Sequence, residues 1–150
     1  MSSFFEFEAD FIKSLRCIPL MVRLKLDTCG VKLKLNHWHQ FEKQEREILV
    51  HKPCSTTTEA QQYRDYLQQL VFQKTGEYAK ELPIEANPSW KQTDHIPSQI
   101  QEKAQEFNLK ITLEQWQNLT EIQRFALIKL SRPSHENKNF LPALQEFNLA

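Results

Sequence analysis

The 32 residues IPLMVRLKLDTCGVKLKLNHWHQFEKQEREIL, at positions 18–49, decide the fold because their pattern recurs without a gap at positions 96–127, as IPSQIQEKAQEFNLKITLEQWQNLTEIQRFAL. A shift of 78 positions superimposes the two segments with eight identities, where about two are expected from ordinary residue usage. The shared tryptophan and arginine lie eight residues apart in both copies, as Trp38 and Arg46 and as Trp116 and Arg124. The pattern predicts one helix–turn–helix unit that is written twice.

Each copy carries signals for the start and end of its first helix. Pro19 suits the first turn of a helix, and Gly30 suits the left-handed residue that ends one. The second copy has Asn108 at the position of Gly30, and asparagine also tolerates that conformation. We expect each tryptophan to bury its ring between helices, and each arginine to pair across the interface.

Further helices are predicted from capping boxes and apolar stripes. The first copy is expected to continue as one helix from about Asn36 to His51, and the alternating VKLKL at 31–35 is interpreted as a helix–helix connector with inward leucines rather than as a strand. Residues 4–11 are interpreted as extended and then helical. The remaining predicted helices are 56–76, 98–107, 113–119, 121–131 and 140–148, with capping boxes at Thr56/Glu59, Ser98/Gln101, Thr112/Gln115 and Thr120/Gln123.

These elements indicate an all-α protein, a compact helical bundle of about six to eight helices. We expect a single domain over residues 1–150, with pseudo-repeat halves 1–80 and 96–150 joined by a proline-rich loop at 81–97. Trp90 within that loop is expected to pin it to the body of the protein.

Composition excludes several classes of function. Two glycines are too few for a P-loop, a Rossmann turn or a nucleophile elbow, each of which needs several close together. The 19 basic and 19 acidic residues balance, so a nucleic-acid-binding protein is not favoured. The sequence contains no run of 18 apolar residues, so no membrane span is predicted. Its acidic start is unlike a signal peptide, so we expect a cytoplasmic protein.

Two segments are candidate surfaces for a protein partner. The stretch 12–35 carries six basic residues against Asp27 alone, which indicates either a solvated basic face or a docking patch for an acidic partner. The polar loop 132–139 is either a simple turn with an asparagine cap for the last helix or a binding loop.

The three cysteines, Cys17, Cys29 and Cys54, allow a metal or cluster site together with nearby histidines. No CxxC pair or other recognised ligand spacing supports that site, and burial as small apolar residues is the simpler interpretation. A nucleophile made from Cys54 and His51 lacks any visible activating group, so catalysis is not favoured.

Two long strings carry a family resemblance. FEFEADFIKSLRCIPLMVRLKLDTCGVKL at 5–33 and QRFALIKLSRPSHENKNFLPALQEF at 123–147 resemble the opening and closing segments of the nitrate reductase-associated protein family of cyanobacteria. The family's recurring strings fall at 15–19, 27–30 and 132–140, with Ser134 standing where a glycine is expected.

The resemblance implies a small accessory protein, not an enzyme, that is needed for active assimilatory nitrate reductase. It implies no catalytic residue and no cofactor of its own, and it leaves the oligomeric state open. The candidate partner surface comprises Arg16, Arg23, Lys25, Arg132, His135, Glu136, Asn137 and Asn139. The alternatives are a metal- or Fe-S-binding protein using Cys17, Cys29 and Cys54 and, less favoured because the helix EIQRFALIKL is mostly apolar, a DNA-binding regulator.

Overall fold

The computed structural model describes residues 4–9, 18–133 and 137–150. Within these ranges the chain forms eight α-helices and one two-stranded antiparallel sheet, which confirms the prediction of a mostly helical protein. The helices are α1 (Leu20–Cys29), α2 (Leu35–Gln40), α3 (Lys43–His51), α4 (Thr57–Thr75), α5 (Ser98–Gln105), α6 (Leu113–Asn118), α7 (Glu121–Leu130) and α8 (Phe140–Glu146). The strands are β1 (Val31–Lys32) and β2 (Lys80–Glu81).

The chain divides into two compact units, each of which contains one copy of the repeat. The first unit falls within residues 1–5 and 9–85, and the second within 6–8 and 86–150. The prediction that residues 1–150 form a single domain stays a prediction.

The two copies share their principal local features, although only the first continues into a strand after its left-handed residue. A proline, Pro19 or Pro97, precedes the first helix of each copy. The residues predicted to end those helices are both left-handed, Gly30 with φ 76° and Asn108 with φ 59°. The rings of Trp38 and Trp116 are buried, with 3% and 0% of their surface exposed, as predicted.

The arginine of each copy binds the main chain of its own copy. Arg46 Nε donates to Trp38 O at 3.1 Å, and Arg124 Nη1 donates to Trp116 O at 3.4 Å. In the second copy two extended residues, Leu119 and Thr120, turn the chain between the two helices, which brings the carbonyls at the end of α6 within reach of Arg124. Each arginine thus bonds main-chain carbonyls of its own copy, in place of the predicted pairing across an interface. Arg124 also donates to Trp90 O at 2.7 Å, in the loop that precedes its copy.

The predicted single helix 36–51 is wrong, because α2 and α3 are separate helices. Phe41 lies between them in an extended conformation (φ −78°, ψ 145°), which buries its ring edge-to-face against Trp38 at a centroid distance of 6.1 Å. A new helix then starts, because the Glu45 carboxylate accepts a hydrogen bond from Glu42 N at 2.7 Å. Burial of Phe41 thus outweighs the continuity of the helical pattern.

The interpretation of VKLKL as a connector is also partly wrong. Val31 and Lys32 form β1, because β2 supplies a partner strand 48 residues further on. Leu33 is buried as expected, whereas Leu35 is 40% exposed.

Capping predictions near α4 and α6 are confirmed, and one near α5 is wrong. Thr56 accepts a hydrogen bond from Glu59 N at 3.1 Å, and Thr112 caps α6 in the same way. Ser98 does not cap α5, because Pro97 takes the cap position. The Gln101 side chain instead binds both polar backbone groups of Ile111, at 3.1 Å and 2.6 Å.

The ends of the second unit are tied together. Residues Glu6–Glu8 form a 3₁₀ turn rather than the expected extended segment, and residues 10–11 lie outside the described ranges. The Glu146 carboxylate accepts hydrogen bonds from the amides of Glu6 and Phe7 at 3.3 Å and 3.2 Å. Within the same unit Trp90 packs edge-to-face on Phe125 at 5.1 Å, as expected for a residue that pins its loop.

We expect the His37→Gln variant to lose less stability than the wild type as the pH is lowered. His37 Nδ1 accepts a hydrogen bond from Lys34 N at 3.3 Å, and burial lowers the pKa of the imidazole. As the pH falls, the His37 imidazole is therefore protonated at a higher pH in the unfolded chain than in the folded protein. The stability that the neutral imidazole contributes is fully present above about pH 6.5 and is lost as the pH falls below that value. Gln115 Oε1 makes the same bond to Thr112 N in the second copy at 2.9 Å, so glutamine preserves the cap without titrating. Melting temperatures at several pH values should decline with acid by about 2 °C more in the wild type than in the variant. Parallel declines in the two proteins would contradict the prediction.

Candidate functional site

The basic stretch 12–35 is partly used inside the first unit. Arg23 Nε donates to Ile18 O at 2.9 Å, and the Lys25 ammonium donates to the carbonyls of Val50 and Lys52, the latter at 2.8 Å. Burial lowers the pKa of Lys25. Lys25 therefore closes the C-terminal end of α3, and its charge is already occupied by main-chain acceptors.

The loop predicted at 132–139 is described only in part. Arg132 is exposed after α7, and Asn137 and Asn139 lie half-buried in the 3₁₀ turn that leads into α8. Asn139 occupies the cap position of α8, but its side chain makes no capping hydrogen bond. Arg16, His135 and Glu136 lie outside the described residues, so their place in the predicted surface stays a prediction.

The structure brings Cys29 and Cys54 together in the first unit. Both are free thiols, and both are buried. Cys29 Sγ also lies 3.7 Å from Leu26 O, and Cys54 Sγ lies 3.7 Å from Lys25 O, so the two sulfurs sit against consecutive carbonyls of α1.

The two thiols of this pair are not equivalent. The hydrogen bond from Cys29 lowers the pKa of the Cys54 thiol, against the opposing effect of burial, and the positive charge of Lys25 lowers it further. The same hydrogen bond, together with burial, raises the pKa of the Cys29 thiol. Cys54 is therefore the thiol of the pair that more readily becomes a thiolate.

Tyr63 and Lys25 lie near the thiol pair. The Tyr63 ring is fully buried in α4, its hydroxyl donates to Leu49 O at 2.7 Å, and Lys25 Nζ lies 5.8 Å from the ring centroid. Burial raises the pKa of the Tyr63 hydroxyl, which stays neutral.

The described residues contain no group of three or more His, Cys, Asp or Glu side chains placed to hold a metal ion. The thiol pair supplies two of the three cysteines of the metal alternative, and Cys17 lies outside the described ranges. His51 ends α3 with an exposed side chain.

A second cluster lies on the exposed side of the small sheet. Lys32 in β1 stands directly opposite Lys80 in β2. Both side chains are exposed, and neither forms an ion pair with another described residue. Like charges directly opposite each other destabilise a strand pair, so folding does not explain this arrangement.

Two exposed aromatic rings precede β2. Phe72 and Tyr78 stack with ring centroids 4.8 Å apart, and they remain 45% and 66% exposed. We call Lys32, Lys80, Phe72 and Tyr78 the ribbon surface. Exposed aromatic rings are a common feature of protein-binding surfaces.

Sequence reasoning found Lys32 only as one member of a basic stretch, and it missed the other three residues of the ribbon surface. Lys80 lies 48 positions away in a segment without a basic excess, so no local signal pointed to it. Phe72 was the one visible signal, because it is a large aromatic residue outside the apolar stripe of α4.

None of the described helices is both long enough and apolar enough to cross a lipid bilayer.

The fold and its clusters define a small, mostly helical protein with a duplicated unit, a buried thiol pair and a basic, aromatic surface. Residues 4–147 match the family described as conserved nitrate reductase-associated protein, and the chain belongs to this family. The match spans nearly the whole chain, including both strings that carried the resemblance. The chain matches no curated protein and no solved structure.

Proposed function

We propose that this protein supports assimilatory nitrate reductase as a non-catalytic accessory protein that binds the enzyme. The observation that carries the proposal is the family match over residues 4–147. The proposal places the protein in the cytoplasm with the reductase and assigns it no cofactor of its own.

The ribbon surface supports a binding role because it combines exposed apolar area with two lysines that form no ion pair with another described residue. The Lys32–Lys80 pair offers two positive charges opposite each other, and the stacked rings of Phe72 and Tyr78 offer apolar area, with Tyr78 two positions before Lys80 in the chain. An acidic patch on the reductase would relieve the repulsion between the lysines, and the same charges would speed and orient the encounter. We therefore place the principal contact on this surface, within and beside the basic stretch 12–35.

The surface predicted from sequence remains part of the proposal in modified form. Arg16, Arg23, Arg132, His135, Glu136, Asn137 and Asn139 are retained as proposed contact residues. Lys25 is left out of the proposed contact residues, since it is half-buried and its ammonium already bonds two carbonyls.

We expect the double variant Lys32→Glu/Lys80→Glu to weaken binding to nitrate reductase at least about tenfold, because it places negative charge against an acidic partner. Purified reductase captured on tagged protein, titrated at two salt concentrations, measures the effect. Wild-type binding should weaken as salt rises, since exposed charges are screened. The matched control is Lys110→Glu, which changes the equivalent exposed lysine of the second copy and should bind like the wild type.

Equal binding by the double variant and by Lys110→Glu would remove the ribbon surface from the proposal. Unchanged binding by Arg16→Glu/Arg23→Glu would remove the N-terminal part of the basic stretch in the same way. Deletion of the protein in its host, followed by measurement of reductase activity and of the cofactor content of the purified reductase, tests the accessory role itself. Normal activity with normal cofactor content would contradict it.

A further inference from the structure

The buried thiol pair joins two parts of the first unit that are distant in sequence. Cys29 is the last residue of α1, and Cys54 lies in the connector between α3 and α4, 25 positions further on. Both are free thiols, and their sulfurs lie 3.7 Å from the consecutive carbonyl oxygens of Leu26 and Lys25, so the two thiols meet at one turn of α1. Neighbouring thiols of this kind are candidates for a disulfide.

The pair lies just beneath the surface. Cys54 is 6% exposed, and its chain neighbours Pro53 and Ser55 are both exposed. The connector is short and lies between two helices, so a local opening there exposes the sulfur without unfolding the core. Cys29 is only 1% exposed, so the connector provides the route by which a small molecule reaches the pair.

The residues around the pair lower the pKa of Cys54 and raise that of Cys29. The Lys25 ammonium favours a thiolate at Cys54, and Cys29 keeps its proton. In thiol–disulfide exchange, one thiolate attacks and a second thiol in contact resolves the product.

We propose that Cys29 and Cys54 form a redox modification site, which closes into an intramolecular disulfide by exchange with a small-molecule disulfide of the glutathione class. The Cys54 thiolate attacks one sulfur of the small disulfide, forms a mixed disulfide and releases one small thiolate. Cys29, on losing its proton to that thiolate, attacks Cys54 Sγ, forms the Cys29–Cys54 bond and releases the second small thiolate, which takes a proton from solvent. Two protein thiols are oxidised, and one small disulfide is reduced to two small thiols.

The test uses the full-length Cys17→Ser variant, in which Cys29 and Cys54 are the only cysteines. Native protein is incubated in mixtures of oxidised and reduced glutathione, quenched with an alkylating reagent and analysed by intact mass and non-reducing peptide mapping. We expect loss of two hydrogen atoms, one cross-linked peptide containing both cysteines, and full reversal by dithiothreitol. Before oxidation, Cys54 should be alkylated at least about tenfold faster than Cys29.

The Cys17→Ser/Cys29→Ser variant should stop at a stable mixed disulfide on Cys54, because the resolving thiol is absent. The same peptide mapping of the oxidised wild-type chain tests the proposal without any substitution that could impair folding. The proposal is overturned if both Cys17→Ser and the wild type accumulate only mixed disulfides, if the wild type joins Cys17 instead, or if neither reacts before global unfolding. Metal bound at the pair in the protein as purified would also overturn it.

Discussion

Gly30→Ala should lower the free energy of unfolding by about 3 kcal/mol, whereas Gly76→Ala should lower it by about 1 kcal/mol. Both glycines are left-handed, with φ values of 76° and 78°, so alanine is strained at either position. At Gly30 a Cβ would also lie 2.6 Å from Leu82 O and 2.8 Å from Ile84 Cγ1, whereas nothing lies within 4 Å at Gly76. The carbonyl of Leu82 cannot move away easily, because Leu82 N donates to Gly30 O at 2.8 Å. Urea denaturation of both variants measures the difference.

Substitution by asparagine separates backbone strain from close contact of the Cβ, since asparagine tolerates the left-handed conformation, as Asn108 does in the second copy. Gly76→Asn should be nearly neutral, and Gly30→Asn should remain destabilised because its Cβ meets the same atoms. Equal effects at the two positions would show that close contact with Leu82 does not constrain Gly30.

Arg124→Met should lower the free energy of unfolding by about 3 kcal/mol, and Arg46→Met by about 1 kcal/mol or less. Arg124 is 6% exposed, and its guanidinium donates to the carbonyls of Trp90, Trp116 and Leu119, which joins the loop before α5 to the helices of the second copy. Methionine fills much of the volume but offers those buried acceptors no donor, and an unpaired buried carbonyl costs about 1–3 kcal/mol. Removal of a buried charge offsets part of this loss, because burial disfavours the charged form and lowers the pKa of Arg124.

Arg46 is the matched control because it occupies the same repeat position and makes the same bond to a tryptophan carbonyl, but it is half-exposed, so water replaces the lost donor. Arg124→Lys should retain most of the defect, since one ammonium cannot reach three carbonyls in the plane of a guanidinium. The prediction fails if the two methionine variants unfold at the same urea concentration.

The duplication was predictable because its signals are local. Proline starts, left-handed stops and threonine caps act within one turn of a helix, so they can be identified without knowing what packs nearby. The split between α2 and α3 was not predictable from the first copy alone, because it depends on burial of Phe41 against Trp38. The second copy contained the clearer signal, since Thr120 caps a helix where Glu42 does so in the first.

The candidate sites depended on contacts between distant residues. Lys32 and Lys80 face each other only because two short strands pair. The alternation of VKLKL hinted at β1, but no local pattern indicated its partner β2. Lys25 was predicted to lie on the binding surface, because the sequence does not show that its ammonium bonds carbonyls at the end of α3.

By itself, the sequence determined the helical class, the doubled unit, the buried tryptophans and the family, because each of these is written in short-range pattern or in strings of matching residues. Only the tertiary structure decided that Cys29 and Cys54 meet, that Lys32 opposes Lys80, and that the repeat arginines bind their own main chain. The physical reason is that these contacts are set by packing across many intervening residues, where burial and hydrogen-bond satisfaction outweigh local preference.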